Sequence, residues 1–387
     1  MKNAHKRWGL GAALTLVATS LLAMATTTQA SAAPTPNACG SQIQAKARAQ
    51  GVGGVVPAVG KCPSAAVIRN ASDPANGTPP LLFHGGSVME TPSTGPLVVT
   101  PIFWSPPGYP MSTSYKQLIT TYLGTVGLAS HQKTNVFSVL NEYYGINGQI
   151  SYQIRLGTPL YDSNRLPANG CQVASTDTTG IYADNSGYSA CLDDAQVQAE
   201  VDRVSTARGL GHDLSHIFVM YLPKHVESCF DAGSTTTAAN ACTINYQPSA
   251  AYCAYHSEDP SGAVYANMPY PVYLSKTGFT CGTDVNFPGV IESPNGNPDA
   301  DTVISPTSHE ISEAITDPDT MTGWYDSSGF EIGDECAYVF GQTRGTPGRF
   351  YNQVINGLHF LTQEEFSNRD FAITGAGCVQ NVLQEAS

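Results

Sequence analysis

Residues 96–104 read PLVVTPIFW, and residues 215–223 read SHIFVMYLP. Each is a β-branched and aromatic run bounded by proline, the signature of a buried central strand. Between them, residues 113–123 and 133–144 have helical spacing. DDAQVQAEVDRV at 193–204 places Val197, Val201 and Val204 on one helical face after an acidic start. Strand and helix alternate, which predicts an α/β fold with a mixed central sheet and flanking helices. After residue 245 come two strand-like pieces, AAYCAY and AVYANMPY, then a Gly/Asn/Pro loop from Thr283 to Asp299. The tail segments EIGDECAYVF and GLHFLTQEEF read as short strands or a hairpin clipped by Cys336 and Cys378.

The first 32 residues carry Lys2, Lys6 and Arg7, an apolar run from Leu10 to Ala25, and Ala30-Ser31-Ala32. This pattern predicts a secretory signal peptide over 1–32. Residues 33–79, rich in Ala, Pro, Gly and Asn, read as a leader or propeptide, and 80–387 as one catalytic-like domain. No later segment reaches the roughly 18 apolar residues of a membrane span. The formal charge is −13, and three of the 18 basic residues lie in the signal segment. Nucleic acid is therefore excluded as a natural partner, and the protein is expected to be secreted and extracellular. Ten cysteines remain after residue 32: Cys39, Cys62, Cys171, Cys191, Cys229, Cys242, Cys253, Cys281, Cys336 and Cys378. An even number behind a signal peptide predicts disulfides, most simply between neighbours in order.

The chemistry gathers at 308–319, SHEISEAITDPD. An α-helix turns about 100° per residue, so His309 and Glu313 share one face, one turn apart, and can share one metal ion. Ile311, Ala314 and Ile315 form the opposite, apolar stripe, which predicts a helix whose acidic face stays open. Ser305-Pro306 reads as its N-cap and first turn, and Pro318 as its stop. Glu310, beside the first ligand, stands where a zinc peptidase keeps the glutamate that takes a proton from water. A third ligand must come from elsewhere, and GWYDSSGFEIGDEC offers Glu331 first and Asp334 second. Asp317 and Asp319 are weaker choices. Zinc is the expected ion, but a carboxylate in the second ligand position moves preference toward manganese or calcium. The competing reading is an ordinary i,i+4 pair on a solvated helix.

Other histidines weigh less. GHDLSH at 211–216 sets His212 and His216 at ligand spacing but abuts a strand, so these read as turn or strand-edge residues. His84 in FHGGS and His256 in CAYHSE are better candidates for lining the site than that pair, because each lies beside a turn or an expected disulfide, although a lone histidine is more often structural. Tyr325 is a candidate hydrogen-bond donor to a developing oxyanion, and Trp324 reads as packing. There is no GxSxG elbow, P-loop or dinucleotide fingerprint.

HEISEAITDP at 309–318, Gly323-Trp324 and EIGDEC at 331–336, with FHGGSVM at 83–89, PIFW at 101–104 and CAYHS at 253–257, together resemble the Exordium-like, phosphate-induced family of secreted proteins. The likeness spans roughly residues 80–380. It implies an extracellular protein and does not itself supply an activity. Carried over singly, His309, Glu310, Glu313 and Glu331 match the family motif, and Asp334 matches as an alternate ligand. The combined expectation is a secreted, zincin-like metallopeptidase acting on extracellular protein or peptide. The alternative is a non-catalytic protein that binds a cell-surface glycan.

Overall fold

Seven strands make the central sheet: β1 (Gly53–Pro57), β2 (Leu97–Trp104), β3 (Ile154–Leu156), β4 (Leu160–Asp162), β5 (His216–Tyr221), β6 (Tyr252–Glu258) and β7 (Val264–Met268). The order is β1-β6-β7-β5-β2-β3, with β4 also on β2. β2 runs parallel to β3, β4 and β5, and β5 parallel to β7, while β6 is antiparallel to both β7 and β1. The computed structural model describes residues 53–57, 80–171, 186–230, 242–243, 252–271, 281 and 291–381. The expected signal peptide, Cys39 and Cys62 lie outside them.

Both runs that opened the reading become central strands, buried on two faces as their unbroken apolar character requires. A proline inside a central strand costs a ladder bond. Pro101 falls where the neighbouring partner changes from β3, paired up to Val99, to β4, paired from Ile102, so its missing N–H coincides with a break in the ladder.

Helix α1 (Thr113–Leu128) buries Tyr115, Ile119, Tyr122 and Leu123, and α2 (Asp194–Ala207) buries Val197, Val201 and Val204. Asp193 and Gln196 close a reciprocal capping box at the start of α2. The expected helix at 133–144 is instead a shorter 3-10 helix, Val136–Glu142. Its Asn135 side chain accepts from Phe137 N, a tight local bond that competes with an α turn. The tail gives a hairpin, Gln353–Ile355 with Leu358–Phe360, and Glu365–Phe366 pairs with Cys378–Val379. EIGDEC forms a 3-10 turn at Asp334–Cys336 rather than a strand.

Among the described residues four disulfides join neighbours in order: Cys171–Cys191, Cys229–Cys242, Cys253–Cys281 and Cys336–Cys378. No helix is long and apolar enough to cross a membrane among the described residues.

Helix α3 (Pro298–Thr316) differs from its expectation in two ways. It begins at Asn297-Pro298, eight residues before the Ser305-Pro306 pair, and Pro306 lies inside it. Ser305 is not the cap; its hydroxyl accepts from Gln363 N at 3.0 Å. The earlier Asn-Pro pair satisfies the same rule of a capping side chain followed by an N1 proline. Nor is the acidic face open. Every residue from Ala300 to Thr316 is buried, because β6 and β7 pack on α3 and the tail crosses it.

Candidate metal centre

Three elements bring the site together. α3 supplies His309, Glu310 and Glu313 on successive turns, β6 supplies His256, and the loop 331–336 supplies Glu331 and Asp334. All six side chains are fully or almost fully buried.

Glu313 is the hub. Its Oε1 accepts from Gly333 N at 3.1 Å and Asp334 N at 2.9 Å and lies 3.0 Å from His309 Nε2. Its Oε2 has no hydrogen-bond donor and faces His256 Nδ1 at 3.8 Å. His256 Nε2 lies 3.7 Å from Glu331 Oε2, and His309 Nε2 lies 3.8 Å from Asp334 Oδ1. Two triads with metal-ligand proximity result, His256–Glu313–Glu331 and His309–Glu310–Glu313, with Glu313 common to both. Glu331 therefore approaches Glu313 from the His256 side, and His309 from the other. Two ligand atoms each about 2.1 Å from one zinc ion stand about 3.0–3.4 Å apart; His309 Nε2 and Glu313 Oε1 at 3.0 Å meet that spacing, and the 3.7 and 3.8 Å separations around His256 are wider, so its triad would have to draw in around an ion.

The loop is held from several directions. Glu331 N donates to Asp334 Oδ2, Gln363 Nε2 donates to Gly333 O at 2.7 Å, Phe366 N donates to Ile332 O, and Cys336 is tied to Cys378. Gly333 is required by proximity, since a Cβ there would stand 2.6 Å from His309 Nδ1.

Burial sets the electrostatics. It raises Glu313 and Asp334 well above the ordinary carboxylate range, with neighbouring acids adding to the shift, and lowers both imidazoles, His256 to about 3. His256 is therefore neutral. A carbonyl can only accept, so the 3.2 Å contact of His256 Nε2 with Asp317 O places the ring proton on Nε2. Nδ1 is left with a lone pair, 3.2 Å from Glu310 Oε2 and aimed toward Glu313. Two acceptors at that distance need a proton or a cation between them. A ring N–H donated to a backbone carbonyl, with the other nitrogen turned inward, is also how metal-binding histidines are commonly oriented.

Asp317 caps the end of α3, its carboxylate accepting from Met321, Thr322 and Gly323 amides, and it reaches the site through its carbonyl. Asp319 is exposed. His84 and Tyr325 stack face to face, 3.4 Å between centroids, beside the centre rather than in it. Both line an open groove of about 630 Å³ together with Glu258 and Asp319. Trp324 packs edge-on against Tyr143 and Tyr144. His212 is held by Ser205 and Ser261, and His216 by Asp213, which keeps the GHDLSH pair structural.

Glu365 went unnoticed in the sequence. It is fully buried, neither oxygen has a hydrogen-bond donor, and the nearby Glu313 and Asp334 push it further toward the protonated form. Its neighbours Thr362, Gln363, Ser367 and Asn368 are polar, so no local pattern marks it as buried. Cys171, Cys191, Cys229 and Cys242 also cluster with ligand-like proximity, but all four are in disulfides. Comparison with protein families, curated proteins and solved structures finds no match to this chain.

Proposed function

We propose that this protein is a secreted metal-dependent hydrolase, a peptidase whose ion seats against Glu313. His256 and Glu331 complete the preferred ligand set, with His309 and Asp334 on the far side of the same carboxylate. The observation that carries the reading is the inward lone pair of His256 Nδ1 opposite the undonated Glu313 Oε2. A zinc ion held there supplies Lewis-acid polarisation of a carbonyl and makes water more acidic. Glu310 remains beside the ligands as the group that takes and returns the water proton, a role consistent with its place 3.2 Å from His256 Nδ1. The Exordium-like motif is part of the proposal, since the same residues carry it.

Complete burial of the ligands favours a second reading, a structural ion of the calcium type in a non-catalytic extracellular protein. Metal analysis of the purified chain, followed by Glu310→Gln, separates the two. The peptidase reading requires bound metal in both proteins and loss of casein cleavage only in the variant. Absence of metal uptake on titration with zinc, manganese and calcium overturns both readings.

A further inference from the structure

The outermost strand of the sheet belongs to the leader. β1 pairs antiparallel with β6, with Gly53 opposite His256, Val56 opposite Ala254 and Pro57 opposite Tyr252. The same five residues lie beside α3, which carries His309, Glu310 and Glu313, and beside the 334–336 turn, which begins with Asp334. One short extended segment thus adjoins all three elements that build the centre. Its register slips between Gly53 and Val56 and again between Val56 and Pro57, so its ladder is interrupted.

Without β1, β6 would be a seven-residue outer edge with N–H and C=O groups turned outward. Such an edge is a template for strand addition. Main-chain bonds to it would draw an extended chain past His256 whatever its side chains, which is the recognition a peptidase of broad substrate range needs. Beyond His256 the same strand ends at Glu258, which lines the groove shared by His84 and Tyr325.

We propose that the outer edge of β6 is the substrate-binding edge of the metal centre. Its ligand is an extended polypeptide lying antiparallel to β6, and Gly53–Pro57 occupies that edge as an internal peptide until the leader is cut away. This rests on the peptidase reading above. Hydrolysis of a peptide bond between residues 58 and 79 consumes water and needs no other reactant.

The test uses the chain from residue 33 to 387 with a sequence-specific protease site inserted between Ser72 and Asp73, so that Cys39 and Cys62 leave on the same fragment. Three quantities are measured before and after cutting: metal content, hydrolysis of an unstructured casein peptide, and binding of a fluorescent peptide of residues 50–59 by anisotropy. After cutting, the labelled peptide should bind and the casein peptide should displace both it and any retained leader. Hydrolysis should rise by about tenfold or more, because the open edge is no longer a minor population. In the uncut chain, Val56→Pro changes the residue opposite Ala254 to one that fits a ladder poorly and should raise peptide binding without any cut.

Equal binding and equal hydrolysis by cut and uncut protein, with metal present, would overturn the proposal and leave the peptidase reading standing. Competitive peptide binding only after the cut, with no metal and no hydrolysis, would support the edge and remove the peptidase. Labelled peptide that binds but is not displaced by casein peptide would also overturn it.

Discussion

His256 Nδ1 and Glu313 Oε2 face each other across 3.8 Å in the protein interior, and no hydrogen bond reaches that carboxylate oxygen. That distance is too long for a hydrogen bond and close to the separation of two ligands on one ion. Glu313→Gln should keep an oxygen for the Gly333 and Asp334 amides, so the fold survives, while the carboxyl that can give up its proton to a cation is lost. Loss of an outer-shell partner costs about 10–100-fold in metal affinity, and this ligand should cost more. Titration calorimetry with zinc reads it. Chelation of the wild-type ion should lower the melting temperature, by linkage, and leave the variant unmoved.

Gly333→Ala places a methyl group against the His309 ring. The ring or the loop must shift, and the Gly333 and Asp334 amides shift with the loop. The expected result is weakened metal binding with destabilisation of about 1–3 kcal/mol, read by chemical denaturation of metal-free and metal-loaded protein. An unchanged affinity would show that the loop is not part of the centre.

Glu90 offers a pH effect remote from the ligands. Burial raises its pKa to about 8, and neither carboxylate oxygen finds a hydrogen-bond partner. The folded state then holds a proton that the unfolded state releases near the ordinary 4.5, so the stabilisation is full below that value and is lost as pH rises toward about 8. Stability should fall between pH 5 and 8 at up to about 1.4 kcal/mol per unit for this one group. Denaturation curves of wild type and Glu90→Gln, which should flatten the slope, measure it.

Glu258 and Asp319 line the groove beyond His256, and Asp319 helps raise the pKa of Glu258 after the larger effect of burial. Substrates carrying Lys or Arg in the groove should be preferred over those carrying Glu. Asp319→Asn should narrow the preference several-fold with little effect on metal content. A paired set of casein-derived peptides differing at a single residue reads this as a ratio of kcat/KM values, and an unaltered ratio in the variant would count against the groove.

Much of the arrangement was legible because its signals are local. The apolar runs at 96–104 and 215–223 set the sheet, the valine spacing at 197–204 set α2, and the i,i+4 spacing of His309 and Glu313 set one half of the site. Contacts distant in sequence are less legible. His256 lies more than fifty residues before Glu310, so the sequence offers it as a candidate without a spacing that ties it to Glu313, and Glu365 enters through a tail whose path over α3 no local pattern encodes. The same holds for the polar face of α3. Periodicity distinguishes two faces but cannot say whether the second meets water or another part of the chain.

The four described disulfides join cysteines in simple succession, without nesting or crossing. A chain exported N-terminus first would present each cysteine's partner before the next pair emerged. An oxidant that links thiols as they appear would therefore reach this connectivity directly, with no need for a disulfide isomerase.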